Sequence, residues 1–98
     1  MELKYSKDVV DDLDQILKFI AEDSPQRALS FIDKMKSKIE LLIAFPGLGV
    51  SCKSKGISED CRVMIFKSYL IFYSVSKEHI LVLSIINVAK DYANNTNI

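Results

Sequence analysis

The sequence predicts an α+β domain: a short N-terminal strand and an antiparallel helix hairpin, packed on one face of an antiparallel sheet in the order β-α-α-β-β-β. Three observations predict it. Apolar residues recur at helical spacing through the first 43 residues, the pair Ser24-Pro25 separates two such stretches, and alternating β-branched and aromatic runs fill residues 61 to 88.

Glu2 to Tyr5 reads as a short strand. Ser6 is placed to cap a helix whose apolar positions are Val9, Val10, Leu13, Ile16, Leu17 and Ile20, and Asp8, Asp11 and Asp12 suit its positive N-terminal end. Ser24 caps the second helix, with Pro25 at the first helical position, where a missing N–H costs nothing. Its stripe is Ala28, Phe31, Ile32, Met35, Ile39, Leu42 and Ile43, and Phe45-Pro46-Gly47 ends it. Only Glu22 and Asp23 precede the second cap, so the helices form a hairpin. Leu48 to Asp60 lacks periodicity and reads as a mobile surface loop. Cys61 to Phe66, Tyr69 to Val75 and Ile80 to Val88 then form a three-stranded meander, with His79, the only histidine, in the second turn.

In the middle strand Tyr69, Ile71, Tyr73 and Val75 oppose Leu70, Phe72 and Ser74. In the last, Leu81, Leu83 and Ile85 oppose Ile80, Val82 and Ile86. Both faces are apolar, whereas an antiparallel sheet backed by helices on one side ordinarily turns a polar face to water. Two helices cover one face. The other is expected to be an interface, in a homodimer or in a complex with a protein partner.

The 98 residues bound the chain to one domain, expected over residues 1–93, with residues 94–98 a polar, frayed tail. Thirteen Lys and Arg balance thirteen Asp and Glu, with 7 basic against 9 acidic groups in residues 1 to 50 and 6 against 4 in the remainder. A neutral chain gains little from phosphate attraction, which argues against direct nucleic-acid binding. The apolar runs are far shorter than the ~20 residues that span a bilayer, and the N-terminus lacks an export signal, so no membrane partner and a cytoplasmic location are expected. Cys52 and Cys61 fit no zinc site and are expected as plain thiols; no metal or cofactor is implied.

The order of elements, with the phrases "IAEDSPQRALSFIDKM" (Ile20 to Met35), "FPGLG" (Phe45 to Gly49), and "CRVMIFKSYLIFYSV" followed by "ILVLSIINVAKDY", resembles the RelE/ParE superfamily of bacterial toxins. The resemblance covers almost the whole chain. It implies a cytoplasmic toxin of a type II system, neutralised by a cognate antitoxin whose extended C-terminal segment wraps it. That segment would fill the open face.

The superfamily's two principal activities make different demands. The mRNA-cleaving branch uses a cluster of basic side chains with a Tyr or His to activate the 2′-OH and stabilise a pentavalent phosphate. Here one arginine position of that cluster is Leu70 and another is Asp91, which leaves Arg62, Lys90 and Tyr92 as the remnants of a nuclease site. "AEDSPQRA", "FPGLG" and "YLIFYSV" look closer to the ParE-like branch, whose members poison DNA gyrase without a nuclease site. Within that branch Ser84, Asn87 and Val50 replace residues that are often Arg, His and Arg. The expected contact residues for target or antitoxin are Arg62, Lys67, Leu70, Phe72, Asn87, Lys90, Asp91 and Tyr92. The resemblance thus implies a non-enzymatic gyrase inhibitor; the alternatives are an mRNA endonuclease with an altered site and a weakly toxic relative.

The bland roles of these groups are structural. Arg62 suits a strand-end salt bridge, Tyr69 and Tyr73 suit core packing with a hydroxyl reaching a polar neighbour, and Lys53, Lys55 and His79 suit solvated turns.

Overall fold

The computed structural model describes residues 1–56 and 60–89. Strand β1 (Glu2–Tyr5) leads into helices α1 (Lys7–Ala21) and α2 (Pro25–Glu40), a 3₁₀ turn over Leu41–Ile43 and strand β2 (Val50–Ser51). A second 3₁₀ turn over Cys52–Lys55 precedes β3 (Arg62–Phe66), β4 (Tyr69–Val75) and β5 (His79–Asn87). Lys90, Asp91, Tyr92 and the 94–98 tail lie outside the described residues. No helix among the described residues is long and apolar enough to cross a membrane.

Both helices start where their caps dictate. Ser6 Oγ accepts from the Val9 amide at 3.1 Å, and Ser24 Oγ accepts from the Arg27 amide at 3.2 Å, each satisfying one of the donors a helix start leaves unpaired. Val9 and Ile16 of α1 are buried with Ala28, Ile32, Met35 and Ile39 of α2. Val10 lies outside the stripe at 55% exposure, because it follows Val9 by about 100° around the helix, and Ile43 is exposed as well.

The five strands order as β1-β5-β4-β3-β2. The meander expected from the sequence is present, and β1 joins its far side parallel to β5, with Leu3 opposite Ile80 and Tyr5 opposite Val82. The sheet is therefore mixed. His79 opens β5 opposite Glu2 and at the same time closes the turn expected there, its amide donating to Ser76 Oγ at 3.2 Å and its carbonyl accepting from the Ser76 amide at 2.9 Å.

The loop expected over Leu48 to Asp60 carries order of its own. Val50 pairs with Val63 and Ser51 with Arg62, and Cys52 and Cys61 are joined in a disulfide with their Cα atoms 5.3 Å apart. The expectation of plain thiols is corrected: antiparallel pairing of β2 with β3 carries the two cysteines onto opposed positions, where the Cys52 amide donates to the Cys61 carbonyl at 2.8 Å.

Between Phe72 and Tyr73 the β4–β5 register slips by one residue, so that Phe72 faces Ser84 and Tyr73 faces Val82. Leu83 is the extra residue of a bulge, which returns Ile85 to the helix face beside Ile80 and Val82, all three buried, in place of the partition expected from strict alternation. Helix α1 seals the strand edge beyond the end of β1. Ser6 Oγ donates to the Leu83 carbonyl at 3.0 Å, and Asp12 Oδ2 accepts from the Ile85 amide at 3.0 Å.

Candidate functional site

The faces of β4 divide the molecule. Tyr69, Ile71 and Tyr73 are buried beneath the helices with Met64 and Met35 in the main core. Leu70 and Phe72 turn to the opposite side, half-buried, and pair with Ile65 and Val63 on β3 and with Ile86 and Ser84 on β5. Ile65 is 61% exposed. No helix among the described residues covers this side, so a contiguous apolar strip of Val50, Ile65, Leu70, Phe72 and Ile86 reaches solvent.

The strip continues into a groove of about 500 Å³ at the β3 edge, walled by Leu48, Val50, Val63, Ile65, Leu70 and Phe72, with Lys38 of α2 at its rim. The groove exists because β2 is only two residues long. It pairs β3 at Arg62 and Val63, and among the described residues Met64 to Phe66 have no strand neighbour on that side. An unpaired edge beside exposed apolar side chains is suited to receive an extended segment of another protein, which would gain both backbone hydrogen bonds and apolar burial.

Arg62 does not belong to this surface. It lies opposite Tyr73 on the helix side of the sheet, and its guanidinium is engaged by the chain's own backbone: Nε and Nη2 donate to the Gly49 carbonyl at 3.1 and 2.8 Å, and Nη2 donates to the Gly47 carbonyl at 3.4 Å. This is a clamp on the loop after α2, not a strand-end salt bridge. Among the described residues the ion pair recorded is Lys18 with Asp14, one helical turn apart on α1.

Lys67 sits at the opposite end of β3, in the Lys67-Ser68 turn, with φ of 54°. Its Nζ is 5.9 Å from the centre of the Phe66 ring, at the outer limit of a cation–π contact. Asn87 closes β5 opposite Tyr69, where its Oδ1 accepts from the Ala89 amide at 3.1 Å and its side chain hydrogen-bonds Tyr69. Burial pushes the Tyr69 hydroxyl above the usual tyrosine range, and the bond from Asn87 partly opposes that shift.

The structure therefore brings Leu70 and Phe72 together on the open face. It leaves Lys67 and Asn87 near one end of the sheet and turns Arg62 away to the other. Sequence reasoning missed the edge residues Leu48, Val50, Val63 and Ile65, since they are assembled by the short β2 pairing. It also missed the bond network of the "FPGLG" loop. A Cβ on Gly49 would lie 2.7 Å from the Val63 carbonyl oxygen and 2.8 Å from Tyr73 Oη, so that close approach requires glycine. The glycine in the phrase was the available signal.

The family model described as "ParE toxin of type II toxin-antitoxin system, parDE" matches residues 3–92. Among solved structures the chain is similar to one from the chromosomal ParDE TA system of P. aeruginosa, with a TM-score of 0.74 and 22% sequence identity over 90% of this chain and 96% of the other. No curated protein matches.

Proposed function

Starting from the fact that this chain belongs to the ParE toxin family of type II toxin–antitoxin systems, we propose that it acts by binding DNA gyrase and is neutralised by an antitoxin segment laid along the open face and β3 edge. The observation that carries this reading is the opposition of Arg62 to Leu70 and Phe72. The cation sits on the helix side with its donors held by the Gly49 and Gly47 carbonyls. The face it leaves is apolar.

Phosphoryl chemistry needs preorganised cations aimed at the developing charge, and removing one such donor costs about 2.7 to 4 kcal/mol of barrier lowering. Leu70 supplies none. A leucine and a phenylalanine flanked by Ile65, Val63 and Ile86 instead supply area that a partner can bury, at roughly 25 cal/mol per Å² before the costs of association are subtracted. Leu70 and Phe72 are thus assigned to antitoxin contact. Lys67 and Asn87, at the sheet's end, are assigned to the rim of the target surface. Arg62 moves from a contact residue to a support of the loop that walls the groove.

The test is a gyrase supercoiling assay with the purified chain, paired with primer extension on transcripts from cells expressing it. Inhibited supercoiling with intact transcripts supports the reading. Normal supercoiling in excess toxin, together with cleavage at codon positions, transfers the chain to the mRNA-cleaving branch.

A further inference from the structure

We propose that the Cys52–Cys61 bridge is a thiol–disulfide switch that sets the affinity of the β3-edge groove, an inference that rests on the reading of that groove as the antitoxin surface. Strand β2 contributes Val50 to the groove wall, yet it is only two residues long. Two pairings do not hold a strand on an edge unaided. Its near end is fastened through Gly49, whose amide donates to Tyr73 Oη at 2.8 Å and whose carbonyl accepts from Arg62. Its far end is fastened by the bridge.

Beyond Ser51 the remaining attachments are weak. The 3₁₀ turn Cys52–Lys55 bonds back to the end of β2 at exposed positions, from the Lys53 amide to Ser51 Oγ and from Ser54 Oγ to the Ser51 carbonyl, and neither bond reaches β3. Among the described residues one backbone bond, from the Cys52 amide to the Cys61 carbonyl, crosses there to the start of β3. The cysteines are nine positions apart, so the bridge ties the residue that follows β2 to the residue that precedes β3. With the bridge intact, Val50 is preorganised; with it open, a partner must order Val50–Ser51 at the moment of binding.

The chemistry is ordinary thiol–disulfide exchange. The thiolate of a dithiol reductant attacks one bridge sulfur, the Cys52–Cys61 bond breaks, and the second reductant thiol resolves the mixed disulfide. Two electrons and two protons pass to the protein, which leaves two cysteine thiols and a cyclic oxidised reductant. Cys52 is fully buried and Cys61 is 7% exposed, so exchange proceeds through opening of the exposed turn.

The experiment uses the purified toxin–antitoxin complex with dithiothreitol as the probe. Amide exchange at Val50, Ser51 and Cys52 and the dissociation rate of the complex are measured before and after reduction, with a Cys52→Ser/Cys61→Ser double variant as control. Expected are faster exchange at those three amides and about tenfold faster dissociation in the wild type, with no response to reductant in the double variant. Unchanged exchange, or faster exchange with unchanged dissociation, overturns the switch. The docking reading fails separately: a Leu70→Glu complex that dissociates at the wild-type rate places the antitoxin elsewhere, whatever the amides do.

Discussion

Tyr73 Oη accepts from the Gly49 amide and donates to the Pro46 carbonyl, both at 2.8 Å, and so pins the loop after α2 to the middle of the sheet. The tyrosine is fully buried, and its hydroxyl is the one polar atom it carries inward. Tyr73→Phe keeps the ring and leaves both loop groups without that partner. The expected loss is about 1–3 kcal/mol in urea unfolding. Gly49→Ala is expected to lose at least as much, because the added methyl meets backbone as well as the tyrosine. Since Arg62 holds the same loop, Arg62→Ala and Tyr73→Phe combined should depart from additivity by more than ~0.5 kcal/mol. Strict additivity would show that the two side chains act on the loop independently.

A second prediction concerns Asp12. Its carboxylate accepts from the Ile85 amide, 73 residues away in sequence, where β5 has outrun β1. Asp12→Ala should cost about 1–3 kcal/mol through the unpaired amide. Asp11→Ala, one position along and exposed, should stay within about ±0.5 kcal/mol. Equal thermal midpoints for the two variants would remove the carboxylate from the account of how α1 docks.

The open face makes a third prediction about partners. Leu70→Glu and Phe72→Glu place charges on the side away from the helices, so secondary structure should survive in circular dichroism. Antitoxin affinity measured by calorimetry should fall by about 2 kcal/mol or more for Phe72, an aromatic anchor at the centre of the strip. The wild-type chain alone should self-associate in sedimentation and become monodisperse when coexpressed with its antitoxin. Unaltered affinity in both variants would move the interface off this face.

The fourth prediction is a pH dependence at alkaline values. Burial raises both Tyr5 and Tyr69, with the Glu40 carboxylate adding to the effect at Tyr5 and the Asn87 bond opposing it at Tyr69. A hydroxyl that holds its proton more tightly in the folded state contributes stability below the unfolded value, near 10, and loses it as pH rises through the folded value. Urea midpoints should therefore fall as the pH rises past the unfolded tyrosine value, near 10. The Tyr5→Phe/Tyr69→Phe variant should fall less. An identical decline in both proteins would assign the alkaline loss to other groups.

What the sequence by itself determined was local. Ser6 and Ser24-Pro25 announced the helix starts, because a cap bonds an amide only three residues ahead, and the 3.6 and 2.0 periods of the apolar residues announced helices and strands. The phrases from Ile20 to Met35 and Phe45 to Gly49 carried the family. The apolar open face was legible too, through Leu70 and Phe72 alternating with Ile71 and Tyr73.

Only the tertiary structure decided the parallel seat of β1 against β5, the bulge at Leu83, the pairing of Cys52 with Cys61, and the engagement of Arg62 by the Gly49 carbonyl. Each joins groups that are distant along the chain or one residue out of phase. Periodicity is blind to a one-residue slip until the partner strand is in place. A short segment such as Val50–Ser51 holds too few residues to show a period at all, and becomes a strand because Val63 and Arg62 lie beside it.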